Sequence, residues 1–426
     1  MTRAKIALLA MLLLPALGLI ASVPAHATCT STTNGTVQTP SFLTGSEFQD
    51  GQSAGSITPA CMRDLIASMM PLPYFVVSTT GSDSNPGTYA APFLTLTKAQ
   101  TMMRASATIK SVCLRTGTYV LSTAIALSTA DNGETWMGCP VDVPRTAIIQ
   151  AAATPPSTLF DDDSLSVSNM TWTNLVFDGG TAHGGGGGMI QLSTPTNIFI
   201  NDNTFQNNVN SSDAVHMWCP TNISVRRNTS IASAGKFMAA IVNGACASTS
   251  YGHIFITDNT IVSNVTGVIP IELTAQAAPN FFFDTHIDRN TMTNTVATFP
   301  AISFIDNNVA PVTVGGAGNT VYGNVVYGTP GLNQVGIEIG VVNTTVAFNY
   351  FAGLDWGFEI GGGSTGVVIE NNTIHLGNQS EFGADPGYTN SEWIGYNIVN
   401  NVVVTGWAGH TYGTRPAIYS PSALTP

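Results

Sequence analysis

Basic side chains are scarce in this sequence: 13 Lys and Arg stand against 25 Asp and Glu, and charged residues of both signs make up only 9% of its 426 positions. So few cations leave no evident means of neutralising a phosphate backbone, which argues against nucleic acid as a partner. The net charge of −12 likewise disfavours a polyanionic substrate unless Ca²⁺ or a local basic patch intervenes. Leucine at helical spacing is missing, so a leucine-rich horseshoe or a helical repeat is ruled out. The six cysteines show no CxxC knuckle, and after residue 23 no apolar run reaches membrane-spanning length.

The one long apolar run is at the start. Arg3 and Lys5 precede Ile6 to Val23, and Ala25-His26-Ala27 offers small residues for cleavage. This pattern predicts a secretory signal over residues 1–27 and a secreted, periplasmic or extracellular protein without a membrane anchor after its removal. In an exported chain an even cysteine count favours disulfides. Cys113 and Cys139 are 26 apart and Cys219 and Cys246 are 27 apart. Each separation is close to one repeat of the chain, so those two pairs are the preferred ones among several, with Cys29 and Cys61 left to pair.

What is abundant is a short pattern that returns. It reads NIFINDNTF at Asn197, NISVRRNTS at Asn222, HIFITDNTI at His253 and FFFDTHIDRNTM at Phe281, then more loosely to Ile374. The asparagine after each alternating run falls at Asn203, Asn228, Asn259, Asn290, Asn324, Asn349 and Asn372, in steps of 25, 31, 31, 34, 25 and 23 residues. Apolar residues at spacing two form strands with one buried face. A single such strand cannot bury that face alone, so successive repeats stack into an all-β parallel β-helix with Asn above Asn at the turns. The domain reading is a lead-in at 28–71, the β-helix at 72–405 and a tail at 406–426. No linker interrupts the ladder, and a monomer is expected.

The segment before the first coils carries a resemblance. Tyr74, Val76, Ser78, Gly81, Asp83, Asn85, Pro86, Gly87, Thr88, Pro92, Phe93, Thr95, Lys98 and Ala99 resemble the opening of secreted parallel β-helix proteins of the pectate-lyase-like superfamily, which includes polysaccharide lyases and some glycoside hydrolases. The resemblance implies a right-handed helix with three sheets per coil; it marks a fold and not a reaction. Thr97 to Ala107 has helical character and is the expected cap over the open end of the solenoid.

One strand per coil appears as MIQLS, DAVHMW, FMAAIVN, VIPIELT, AISFIDN, VGIEIGV and WGFEIGG. With the flanking apolar residues inward, Gln191, His216, Glu272, Ser303, Glu338 and Glu359 point outward along a single ridge. FMAAIVN offers either Ala240 or Val242 at that position. Paired carboxylates are the apparatus of glycoside hydrolysis, since mutual repulsion keeps one protonated as acid while the other stays charged. Glu338 and Glu359, with Glu272 as alternate partner, are the candidate catalytic residues. His216, Gln191, Asp213, Trp356 and Trp218 are the candidate substrate-binding residues; the indoles suit a sugar face.

The expected partner is a neutral or weakly charged polysaccharide. Two alternatives stand beside it. A uronan lyase would use His216 as base, with Arg226 and Arg227 one turn later, and a non-catalytic glycan-binding surface protein would use no base at all. No metal or other cofactor is required, although Asp161, Asp162, Asp163 and Asp178 offer oxygen ligands suited to Ca²⁺. His253, Asp284, His286 and Asp288 are expected to point outward from a different sheet.

Overall fold

A computed structural model describes residues 74–404, apart from short stretches, chiefly 181–186, 209–212, 264–267, 295–299, 307–315, 361–364, 377–381 and 385–395, and then 418–419. The expected signal, the lead-in with Cys29 and Cys61, and most of the tail lie outside these residues. The described chain is a right-handed parallel β-helix. Each coil visits three sheets in turn, and among the described residues these hold 12, 11 and 11 strands. One coil runs through Thr196–Asn201 in the first sheet, Thr204–Gln206 in the second and Asp213–Trp218 in the third.

Alternation does what the pattern requires. In the third sheet Ile190, Val215, Met238, Ile271, Ile302, Ile337 and Phe358 stack in register and are all fully buried. Each such side chain contributes about 1.5–3 kcal/mol relative to exposure. In the second sheet Phe177 stacks on Phe205 with ring centroids 5.0 Å apart.

The repeat asparagines form a buried ladder at the corner between the first and second sheets. Asn290 is typical: its amide N–H donates to Asn324 Oδ1 (2.9 Å), while its Nδ2 donates to Asn324 Oδ1 (3.0 Å) and to the Ile256 carbonyl (2.8 Å). The same bonds join Asn203, Asn228, Asn259, Asn290, Asn324, Asn349 and Asn372, and carry on to Asn401. Asparagine recurs because this corner buries a backbone N–H and carbonyls that strands cannot pair, and only a side-chain amide supplies both an acceptor and donors.

The cap is a helix over Leu96–Ala105, slightly earlier than the sequence suggested, because Thr95 caps it by accepting from the Lys98 amide at 3.1 Å. Ser106 ends it, its amide donating back to the Met102 carbonyl. Leu96, Ala99, Gln100 and Met103 face inward, and Arg104 grips Asp131 of the first coils with two 2.6 Å bonds. The preceding loop folds back on the first strand, Tyr74–Val77. Gly87 lies at φ +78°, and a Cβ there would meet the Phe93 ring at 2.3 Å, so the Asn-Pro-Gly turn needs its glycine.

At the other end two residues of the tail join a sheet. Ile418–Tyr419 forms a strand that extends the third sheet beside Phe382–Ala384. Both preferred disulfides are present, Cys113–Cys139 and Cys219–Cys246, with Cα atoms 4.7 and 5.6 Å apart.

Candidate functional site

The outward row of the third sheet reads, in register, Asp161, Gln191, His216, Ala239, Glu272, Ser303, Glu338, Glu359 and Gly383. Neighbouring positions are separated by about 4.8 Å, the spacing between paired strands. The FMAAIVN strand contributes Ala239 to the row, not Ala240 or Val242. Those two lie in the hydrophobic core with Met238, because His216 pairs with Ala239, an odd number of residues before either alternative.

The ridge divides into two groups. Glu338 and Glu359 are register partners on adjacent strands. Ser303, one strand before, donates its hydroxyl to Glu338 Oε2 at 2.6 Å, a bond that favours the charged form of its acceptor. Glu272 stands two strands from Glu338, with Ser303 between them, and belongs to the other group. It pairs with Lys236 and accepts from Thr274 Oγ1 at 3.3 Å.

Lys236 escaped the sequence reading because it precedes its strand and breaks no alternation. Its rarity was the available signal, since only Lys98, Lys110 and Lys236 follow the expected cleavage site. The Lys236 backbone amide also donates to Asp213 Oδ1 at 3.2 Å, and Asp213 Oδ2 lies 2.7 Å from His216 Nδ1. Asp213 therefore ties the imidazole to the Lys236 turn. His216 Nε2 is buried and, among the described residues, has no hydrogen-bond partner.

Trp218 projects from the same strand on the same side as His216, with ring centroids 4.2 Å apart. Gly188 makes room for this arrangement: a Cβ there would come within 2.9 Å of His216 Cβ and 2.8 Å of its amide nitrogen. That accounts for the last glycine of the Gly184–Gly188 run, of which 184–186 lie outside the described residues. Beside Trp218 a hollow of about 390 Å³ opens, lined by Gln191, Ser193, Thr194, Cys219, Asn243 and Ala245 as well. Trp356 is partly exposed. It starts its strand on the alternation of Phe358 and Ile360, opposite to Glu359, so it is not a neighbour of Glu359 on the ridge.

His253, Asp284, His286 and Asp288 all lie on the first sheet, as expected, but Asp288 is buried, not exposed. Asp284 bridges His253 Nδ1 (2.5 Å) and His286 Nε2 (3.0 Å). The His286 ring stacks flat on Phe255 at 4.9 Å, with Arg226 over the other side of that ring at 4.8 Å. Hydrogen bonding to Asp288, then to Asp284, raises the His286 pKa above the usual imidazole value against the opposing effect of burial. Arg227 pairs with Asp202. Neither arginine faces the ridge.

The expected oxygen site is also changed. Asp178 accepts from Gln150, Gln206, Asn207 and the Gly180 amide, and these bonds hold its pKa below the usual carboxylate range although burial opposes them. Asp162 Oδ2 accepts from the Ser193 amide at 2.7 Å, and Asp163 lies outside the described residues. Among the described residues no three His, Cys, Asp or Glu side chains converge as a metal set.

No protein-family model and no curated protein matches the chain. Among solved structures it is similar to the surface protein and adhesin PfbA of Streptococcus pneumoniae, with 10% identity over 76% of this chain and 94% of that one and a TM-score of 0.43. It is similar to the catalytic domain of a GH87 alpha-1,3-glucanase at 12% identity, covering 81% and 68% with a TM-score of 0.44. A rhamnogalacturonan lyase follows at 14% identity, 78% and 86% coverage and 0.40. By its own register the chain is a capped, right-handed parallel β-helix that carries its candidate groups on one outer face.

Proposed function

We propose that this protein is a secreted glycoside hydrolase acting on a neutral or weakly charged polysaccharide, with Glu338 and Glu359 as its carboxylate pair. The observation that carries the reading is their register: two glutamates on adjacent strands of one outward row. A backbone separation of about 4.8 Å suits the short carboxyl spacing of retaining enzymes, about 5–5.5 Å. The Ser303 hydroxyl on Glu338 supports one division of roles. Glu338 is the charged member and attacks the anomeric carbon, while Glu359 gives its proton to the departing glycosidic oxygen. Water then cleaves the glycosyl ester, with Glu359 taking its proton and Glu338 restored.

Glu272, held by Lys236 and Thr274, is a substrate-positioning group in this reading. Gln191, His216, Asp213 and Trp218 extend the groove. The lyase alternative gains Lys236 as a cation near His216, but Glu272 already neutralises that ammonium, and Arg226 and Arg227 serve the first sheet.

The test is a screen of the purified protein against neutral and uronic-acid polysaccharides, followed by Glu338→Gln and Glu359→Gln on any substrate found. New reducing ends from a neutral glycan, lost in both variants, are expected. Hydrolysis undiminished in both, or unsaturated products from a uronan, would remove the assignment.

A further inference from the structure

The hollow beside Trp218 combines features that a solvent-facing solenoid surface does not require. Its walls come from three successive coils: Gln191, Ser193 and Thr194 from one, Trp218 and Cys219 from the next, Asn243 from the third. Two of these residues, Thr194 and Cys219, hold positive φ of 50° and 51°. For a β-branched residue that conformation is a genuine outlier, and such strain persists only where the surroundings enforce it. The Cys219–Cys246 disulfide ties the second coil to the third at the rim. The Asn243 amide N–H donates to Cys246 Sγ, and Asn243 Oδ1 accepts from the Ala245 amide at 3.0 Å. The indole packs at a 48° tilt against His216, which Asp213 holds in turn.

The chemistry of the lining defines what fits. It offers one aromatic face, two hydroxyls and two carboxamides, and among the described residues no charged side chain lines it. An indole face packs against the C–H face of a pyranose, and hydroxyls and amides match sugar hydroxyls as both donors and acceptors. A carboxylate would lose hydration here and find no cation to compensate it. We infer that this hollow is a binding subsite for one uncharged sugar unit, with Trp218 as platform and Gln191 and Asn243 as hydrogen-bonding groups, set three to five strands along the ridge from Glu338. The inference rests on the glycan-acting reading above and adds to it the place and the charge class of one bound unit.

The experiment measures binding apart from turnover. The Glu338→Gln/Glu359→Gln double variant is titrated with neutral glucose, mannose and galactose disaccharides and with digalacturonate, followed by calorimetry and tryptophan fluorescence. The titrations are repeated after adding Trp218→Ala or Asn243→Ala, with thermal melts to verify folding. A neutral disaccharide should bind, about tenfold or more weakly once Trp218 is removed, and measurably more weakly without Asn243; digalacturonate should not bind. Neutral binding indifferent to both substitutions, digalacturonate bound as tightly, or no neutral disaccharide bound at millimolar concentration would overturn the inference. If Trp218→Ala fails to fold, the Asn243 variant decides. Trp218-dependent binding in a protein with no hydrolytic activity would uphold the subsite and end the hydrolase reading. Hydrolysis dependent on Glu338 with binding indifferent to Trp218 would do the reverse.

Discussion

Ser303 and Glu338 sit side by side on adjacent strands, and the serine hydroxyl donates to Glu338 Oε2 at 2.6 Å. Ser303 is 1% exposed, so this is a bond made under cover and not a surface accident. Hydrogen bonds to charged groups contribute about 1.5–3 kcal/mol. In the proposed hydrolase, Ser303→Ala should lower kcat about tenfold or more, and the acid limb of the pH profile should move to higher pH as Glu338 becomes easier to protonate. A variant with unchanged rate and unchanged profile would show that Ser303 does not set the charge of Glu338.

Glu134 provides a pH prediction away from the ridge. It is fully buried under the cap and accepts from Trp136 Nε1 at 3.1 Å, and among the described residues its other oxygen has no hydrogen-bond partner. Burial, reinforced by the neighbouring Asp131, raises its pKa from 4.5 to about 9. The folded protein therefore keeps the proton that the unfolded chain gives up. The contribution is fully present below the unfolded value and is lost progressively as pH rises from about 4.5 towards 9. Glu134→Gln keeps the shape without the titration, so its melting temperature should exceed that of the parent at pH 8 and match it near pH 4.5. Scanning calorimetry at the two pH values tests this, and equal melting curves at pH 8 would contradict it.

The asparagine ladder makes a stability prediction. Replacing Asn290 by Ala removes the Oδ1 that accepts from the Asn259 amide and the Nδ2 that donates to the Ile256 carbonyl, leaving buried groups unpaired at about 1–3 kcal/mol each. Asn290→Asp keeps the acceptor but buries a charge and should be no better tolerated. Urea titration followed by circular dichroism reads both; a midpoint unchanged in Asn290→Ala would show that water replaces the amide.

Reduction offers a local test. The Cys219–Cys246 disulfide closes 27 residues, and loss of a loop constraint of this kind typically costs about 2–4 kcal/mol. Cys246→Ser should lower the melting temperature and also weaken neutral-sugar binding beside Trp218, whereas loss of Cys113–Cys139, near the cap, should affect only the melt. Hydrogen exchange on the coils from Gln191 to Asn243 would locate the loosening.

The alternation of Ile190, Gln191 and Leu192, or of Ile337, Glu338 and Ile339, was legible in the sequence because strand periodicity is local. A strand with one buried face settles which side chains point out before any partner is known. The spacing of Asn203 to Asn372 and of the cysteine pairs was legible for a related reason: each position repeats once per coil, so sequence separation reports vertical stacking.

What lies beside an outward residue was not legible, because that depends on side chains arriving from turns, where no periodicity operates. Lys236 meets Glu272, and Asp213 joins His216 to the Lys236 turn. Ala239 instead of Ala240 takes the ridge position because pairing with the neighbouring strands, not the apolar pattern of FMAAIVN, chose the register. Arg226 turned to Phe255 because its strand belongs to the first sheet. Sequence alone determined the solenoid, its ladder and its outward glutamates. Only the tertiary structure decided which cations and aromatic rings those glutamates and His216 meet, since contacts between coils are made by turns whose paths local alternation does not encode.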